Sequence, residues 1–243
     1  MDIYEIERFL NSILKPDDYE DYCHNGIQIE GKRNVNKIAL GVSFNLDFVD
    51  KALKEGAELL LVHHGIFGKD FFNLRGFLKK RVEKVIKNDL TLMGYHLPLD
   101  ANLQLGNNIS LISELGLIMT KREGIAFIGE YEKPLKFEEF ENKLKDLFGD
   151  QPLTIYKNND FVHKVGVVSG GGSSLLETLE GEIDTFVTGE VKEQTRNMAK
   201  EMGITFINAG HYATETFGVK NLGELIKQQF NIDTVFIDVY NNI

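Results

Sequence analysis

The run Leu59-Leu60-Leu61-Val62, followed by His63-His64-Gly65, constrains the fold more than any other stretch. Four branched apolar residues in succession read as a strand buried on both faces, as in a parallel sheet covered by helices. In an open α/β sheet, ligands bind outside the carboxyl ends of the strands, and this strand ends in two imidazoles. Successive strand side chains point to opposite faces. Adjacent histidines therefore suit two different ions better than one ion held by both. The alternative is a hydrogen-bonded histidine pair with no metal.

The rest of the chain alternates in the same way. Asp2 can cap a first helix, with Ile3, Ile6, Phe9, Leu10, Ile13 and Leu14 on one face, stopped by Pro16. Tyr22 to Gly31 is a turn-bounded segment. Lys37 to Phe44 reads as a strand and Leu46 to Glu55 as a helix, with Gly56 as its stop. After the histidine strand come a basic amphipathic helix over 76–88, a strand over 90–96, the stretch His96-Leu97-Pro98-Leu99-Asp100 and a helix over 107–115. Polar Thr120 to Gly124 is the expected boundary, giving domains 1–120 and 121–243. Beyond it, strands are expected at 125–131, 153–156, 162–169, 183–188, 204–208 and 234–239. Helices are expected at 137–148, 175–179, 191–202 and 214–230. The last helix and strand are candidates to pack back on the first domain.

Both halves place polar residues at strand ends: His63-His64 and His96 to Asp100 in the first, Thr188-Gly189-Glu190 and Gly210-His211 in the second. Alternating strands and helices imply crossover connections and largely parallel sheets. The expected fold class is thus α/β: two related α/β domains whose sheets face a dinuclear metal cleft.

Composition narrows the chemistry. Cys23 is the only cysteine, which excludes an internal disulfide and a thiolate cluster. Any metal must be held by nitrogen and oxygen, favouring Zn, Fe, Mn, Co or Ni. No apolar run approaches a membrane span, and the N-terminus lacks a signal-peptide pattern, so no membrane association and a cytoplasmic location are expected. The formal charge of -10 argues against a generally basic surface. The exception is Arg75, Lys79, Lys80, Arg81, Lys84 and Lys87 against the single acid Glu83.

His211 and Glu215 are four apart at the start of the expected last helix, so both lie on one face and can share an ion. Asp100 adds a carboxylate beyond the third strand. His63, His64, Asp100, His211 and Glu215 together supply three imidazoles and two carboxylates, enough for two adjacent divalent ions. His96 is a candidate proton shuttle or a support for a ligand, against a buried structural histidine. Glu190 is a candidate general base, against a helix-start acid favoured by the dipole. The Gly170-Gly171-Gly172-Ser173-Ser174 loop either offers N–H groups to a phosphate or is a tight turn. His24 and His163 read as structural or surface residues.

At these motifs the chain resembles the Nif-three-like family (NGG-one-interacting factor three), whose members are labelled GTP cyclohydrolase I type 2 homologs. The carriers are Asn25 to Gly31, His63-His64-Gly65, His96 to Ala101, Gly170 to Ser173, Asp184 to Glu190 and Gly210 to Glu215. The resemblance spans nearly the whole chain. It implies two α/β domains, a dinuclear site between them with His63, His64, Asp100, His211 and Glu215 as ligands, and a homohexameric ring. The chain departs from the pattern at Gly65, where many members have proline, and before Asp100, where threonine and asparagine are commoner. Neither departure removes a ligand. The absence of a long central insertion marks a short, prokaryotic-type member.

Two functional classes fit. One is a dinuclear metal-dependent hydrolase acting on a nucleotide or another phosphate-containing substrate, with GTP ring opening suggested by the family label. The other is a ring that binds DNA or RNA through the basic helix around 75–87, against an ordinary solvated helix face.

Overall fold

The computed structural model describes residues 1–69, 71 and 73–243. Asp2 caps α1 (Ile3–Leu14), its carboxylate accepting from the Tyr4 N–H at 2.9 Å. Ile3, Ile6, Leu10 and Leu14 form the buried stripe. Left-handed Lys15 and then Pro16 end the helix. The chain continues through β1 (Gly26–Ile29), β2 (Lys37–Ser43), α2 (Leu46–Lys54), β3 (Leu59–His64), α3 (Gly76–Lys87), β4 (Thr91–Gly94), α4 (Leu97–Asp100) and α5 (Asn107–Glu114). A hairpin of β5 (Ile118–Glu123) and β6 (Ala126–Lys136) follows, then α6 (Phe137–Phe148), β7 (Thr154–Tyr156) and β8 (Phe161–Val168). The last elements are β9 (Thr185–Thr188), α7 (Thr195–Met202), β10 (Thr205–Asn208), α8 (His211–Thr214), α9 (Thr216–Phe230) and β11 (Asp233–Phe236).

These elements form two compact units: residues 1–99 with 218–239, and 100–217 with 240–243. The first unit carries a five-stranded sheet in the order β1-β4-β3-β2-β11. β4, β3, β2 and β11 run parallel, and β1 pairs antiparallel at the edge. Leu60 and Val62 pack with Phe48 and Val49 of α2 and Val82 and Val85 of α3. On the opposite face, α9 comes close enough that a Cβ on Gly223 would strike Leu40. Helices on both faces explain why β3 is apolar at four successive positions.

The second unit carries a six-stranded sheet in the order β5-β6-β8-β9-β10-β7. Alternation sorts its side chains. Phe127, Val167, Val187 and Ile207 pack with α5 and α6 residues such as Leu111 and Phe140. Ile128, Val168, Phe186 and Phe206 join the opposite core with Ala199 of α7.

Three expectations need correction. The second sheet is mixed, not largely parallel: only β8–β9 and β9–β10 are parallel. The cause of the first reversal is local, since Gly124, at a φ of 59°, turns β5 directly into β6. The polar stretch expected to be the domain boundary is the end of β5 and the turn of that hairpin, and the chain first passes from one unit to the other between Leu99 and Asp100. Finally, the expected helix over 175–179 is a pair of short 3-10 turns, Gly172–Leu175 and Glu177–Leu179. No described helix is long and apolar enough to cross a membrane.

Candidate metal centre

In the first unit, β3 delivers His63 and His64 as its last two residues, and His96 follows β4. The three rings converge. Centroid separations are 4.6 Å for His63–His64, 5.1 Å for His63–His96 and 5.6 Å for His64–His96. Each ring is anchored through Nδ1 to an oxygen: His63 to the Tyr95 carbonyl at 2.9 Å, His64 to the Ser43 hydroxyl at 3.1 Å and His96 to Asp21 at 2.9 Å. Each anchor fixes ring orientation; the Tyr95 carbonyl and the Asp21 carboxylate can only accept, so they place a proton on Nδ1 of His63 and His96, whereas the Ser43 hydroxyl can donate to or accept from His64.

Asp21 was not identifiable from the sequence. Its side chain is almost wholly enclosed, with 3% exposed. The carboxylate also accepts from the N–H groups of Cys23 and Leu97, at 3.0 Å each, and from Asn25 Nδ2 at 3.1 Å. Burial alone would raise its pKa. The hydrogen bond and charge of His96, with Asn25 and the Cys23 N–H, outweigh burial and hold it well below the usual carboxylate range. The Asn-Gly-Ile-Gln motif has its own work here. Asn25 accepts from the His96 N–H at 2.7 Å, and Gln28 Oε1 accepts from the Ile66 N–H at 2.7 Å, bracing the loop after His64. His24 is exposed. Beside His64 lies a pocket of about 290 Å³ walled by Tyr22, Ile66, Phe67, Phe71 and Leu78.

In the second unit, Asp100 and Glu215 are buried, at 4% and 2% exposure. Each offers a carboxylate oxygen, and these lie within 4.8 Å of one another. Asp100 is fixed by Asn107 Nδ2 and Ser169 Oγ, both at 2.8 Å. Asn108 in turn accepts from the Ser169 N–H at 2.7 Å. His211 joins Glu215 through Nε2 at 3.1 Å and Glu190 through Nδ1 at 2.6 Å. Burial would lower the pKa of His211, but the hydrogen bonds and charges of Glu215, then Glu190, raise it to about 9. His211 and Glu215 lie side by side, but through a different backbone from the single helix expected. Glu215 is the C-cap of the short α8, at a φ of -110°, so it sits at a break rather than inside one helix.

The Gly170 to Ser174 loop serves this set rather than a helix N-terminus, since no α-helix follows it. Gly170, at a φ of 60°, has a backbone so near that an added Cβ would strike the Glu215 carboxylate and lie 2.9 Å from His211 Nε2. Two buried carboxylates this close repel one another, and a divalent cation is the counter-charge such a pair fits.

The fold is an α/β fold in two units, and its clustered His, Asp and Glu side chains include groups that could hold a metal ion. The chain belongs to the DUF34/NIF3 family (NGG1p interacting factor 3), whose pattern it matches over residues 1–243. It is 36% identical over 249 residues to a Haemophilus influenzae protein named GTP cyclohydrolase 1 type 2 homolog, covering 99% of each chain. Among solved structures it is similar to the structural-genomics protein ybgI, described as of unknown function (TM-score 0.96, 35% identity, 100% of both chains). It is also similar to TTHA1606 from Thermus thermophilus (TM-score 0.94, 36% identity, 100% of both chains).

Proposed function

We propose that this protein is a metal-dependent hydrolase that uses two divalent ions, with His63, His64, Asp100, His211 and Glu215 as ligands and a nucleotide or other phosphoester as substrate. The observation that carries the proposal is the anchoring of the imidazoles. His63, His64 and His211 each engage an oxygen through Nδ1, which orients the ring for a metal at Nε2; at His211 the metal would displace the proton that Nε2 shares with Glu215. When bound, such ions activate water and stabilise developing negative charge. Glu190 orients His211 by accepting from Nδ1, and Asn107 and Ser169 aim Asp100. The apolar, aromatic walls of the pocket beside His64 suit a flat ring such as a nucleobase. The name of the relatives agrees with a purine nucleotide.

Metal analysis of freshly purified protein, followed by a turnover screen over nucleotides and phosphoesters with Zn, Fe, Mn, Co and Ni restored in turn, tests this reading. It predicts up to two ions per chain and turnover that follows metal content. Metal-independent turnover, or no bound metal, would overturn it. A homohexameric ring is part of the proposal and is tested by sedimentation. The nucleic-acid alternative draws less support from α3. Lys84 meets Asp50, and Lys87 pairs with Glu83 at 2.6 Å, so two cations of the basic face already have acidic partners.

A further inference from the structure

We propose that the pocket beside His64 binds a neutral, nucleobase-like aromatic ring and takes no phosphate, so that a nucleoside suffices as ligand and any phosphate tail stays outside. The inference rests on the hydrolase reading and narrows it: a ring, not a phosphoester group, is brought against His64.

Size and lining set the class. The pocket measures about 290 Å³, at the small end for ligand pockets, with room for a heterocycle and its sugar. Its walls include Tyr22, Ile66, Phe67, Phe71 and Leu78. Phe67 and Phe71 meet edge to face with ring centroids 4.5 Å apart, and Tyr22 meets the His96 ring in the same way at 5.0 Å. Tyr22 nevertheless keeps 54% of its surface exposed. An aromatic side chain left half in water beside an apolar hollow is a platform on which a flat ring gains by stacking. Among the described residues, no Lys, Arg, Asp or Glu lines the pocket. A charged ligand would therefore leave water there without a counter-charge.

The backbone does not supply that charge either. Phosphate sites without cations gather N–H groups that have no other partner. Here the donors are spent. The Cys23 N–H donates to Asp21 at 3.0 Å. The His24, Lys69 and Phe71 N–H groups donate to the carbonyls of Phe67, Tyr22 and Gly68 at 2.9, 2.7 and 3.1 Å. The Ile66 and Phe67 N–H groups both donate to Gln28 Oε1, at 2.7 and 3.2 Å. Gln28 also donates through Nε2 to the His24 carbonyl at 2.7 Å, so one side chain ties together the two loops that make the walls. Gly65 allows this, since a Cβ there would strike the Gln28 amide. The hollow is thus braced before any ligand arrives, which lowers the ordering cost of binding.

The chain contains no tryptophan, so Tyr22→Trp places a single fluorophore at the rim of the pocket. The full, metal-free Tyr22→Trp chain is titrated with guanosine, adenosine, their mono- and triphosphates, and ribose 5-phosphate. Saturation-transfer NMR repeats the series on the wild type. Nucleoside and triphosphate should bind within about threefold of each other, with little change between ~0.05 and ~0.5 M salt, and ribose 5-phosphate should not bind. Phe67→Ala, or Leu78→Ala as the milder change, should weaken nucleoside binding at least about fivefold. Phe77→Ala, on the same helix as Leu78 but 62% exposed and outside the lining, should leave it unchanged. No nucleoside binding, an affinity that climbs with each phosphate and collapses in salt, or wall variants that bind like the wild type would each overturn the proposal. Nucleoside binding by a chain that takes no metal keeps the pocket and removes the hydrolase reading. Metal-dependent phosphoester turnover without nucleoside binding does the reverse.

Discussion

Replacing Gly170 by alanine tests whether the second unit's donor set is as tightly cradled as the structure shows. Two costs follow. At a φ of 60°, a residue with a Cβ is strained by about 1–2 kcal/mol. The new methyl would also strike the Glu215 carboxylate and lie 2.9 Å from His211 Nε2. The backbone is poorly placed to yield, because Gly170 donates to Thr214 Oγ1 at 3.0 Å and accepts from the Gly189 N–H at 2.9 Å. The carboxylate must therefore move and give up its 3.1 Å contact with His211, a charge-assisted bond of about 1.5–3 kcal/mol. Together these come to about 2.5–5 kcal/mol in the metal-free protein. Gly181 supplies the control: its φ is 78° and a Cβ there meets nothing within 4 Å. Gly181→Ala should cost only the strain, about 1–2 kcal/mol. Urea unfolding of metal-free protein measures both variants, and dialysis measures their metal affinity. Gly170→Ala should lose at least about tenfold in affinity, a shift of ~1.4 kcal/mol, and Gly181→Ala none. Equal stability losses with unchanged metal affinity in both would refute the cradle.

Other expectations follow from the same structure. His211 has its folded pKa raised from 6.5 to about 9, so its contribution to the metal-free protein is full below pH 6.5 and is lost as pH rises through 9, by up to ~3 kcal/mol; stability of the metal-free chain that does not decline over that window contradicts it. Chelation should leave circular dichroism unchanged at moderate temperature, because the sheets rest on apolar cores; unfolding on chelation would make the ions structural. Phe140→Ala, at a fully buried side chain, should lower stability by about 3–5 kcal/mol, measured by urea midpoint with the slope unchanged. Reversing Lys80 and Lys84 to glutamate should change DNA retention at low salt by less than about tenfold and leave metal content intact; a steep, salt-dependent affinity lost in this variant would favour the nucleic-acid reading.

Much of this was legible in the sequence because it is local. β3 announces itself by four apolar residues, and His211 with Glu215 by their spacing. The Asp21–His96 pair is not local: 75 residues separate its members, and Asp21 lies in a loop without periodicity. The only signal near it was the Asn25-Gly26 motif, whose asparagine holds the same histidine. Asn107 and Asn108 read as an ordinary helix start, and only the folded chain shows them aiming Asp100 and Ser169. The misplaced boundary has a physical reason too. β5 is an edge strand, mostly exposed, and edge strands carry charges such as Lys121, Arg122 and Glu123 that discourage pairing with other chains. Such a strand looks like a linker when seen only as a string of residues.

The connectivity of the first unit sets an order on its assembly. Its sheet is completed by β11, which pairs with β2 from Asp233↔Lys37 to Phe236↔Leu40. During synthesis β2 emerges almost two hundred residues before that partner, and the intervening chain forms nearly all of the second unit. Until the last strand arrives, one edge of β2 has no native partner and presents unpaired backbone groups. All six strands of the second unit's sheet are synthesised before β11 closes the first sheet, so a nascent chain passes through a half-finished stage. Truncations that remove the final dozen residues should drive the protein into inclusion bodies, even though every candidate metal ligand is still present.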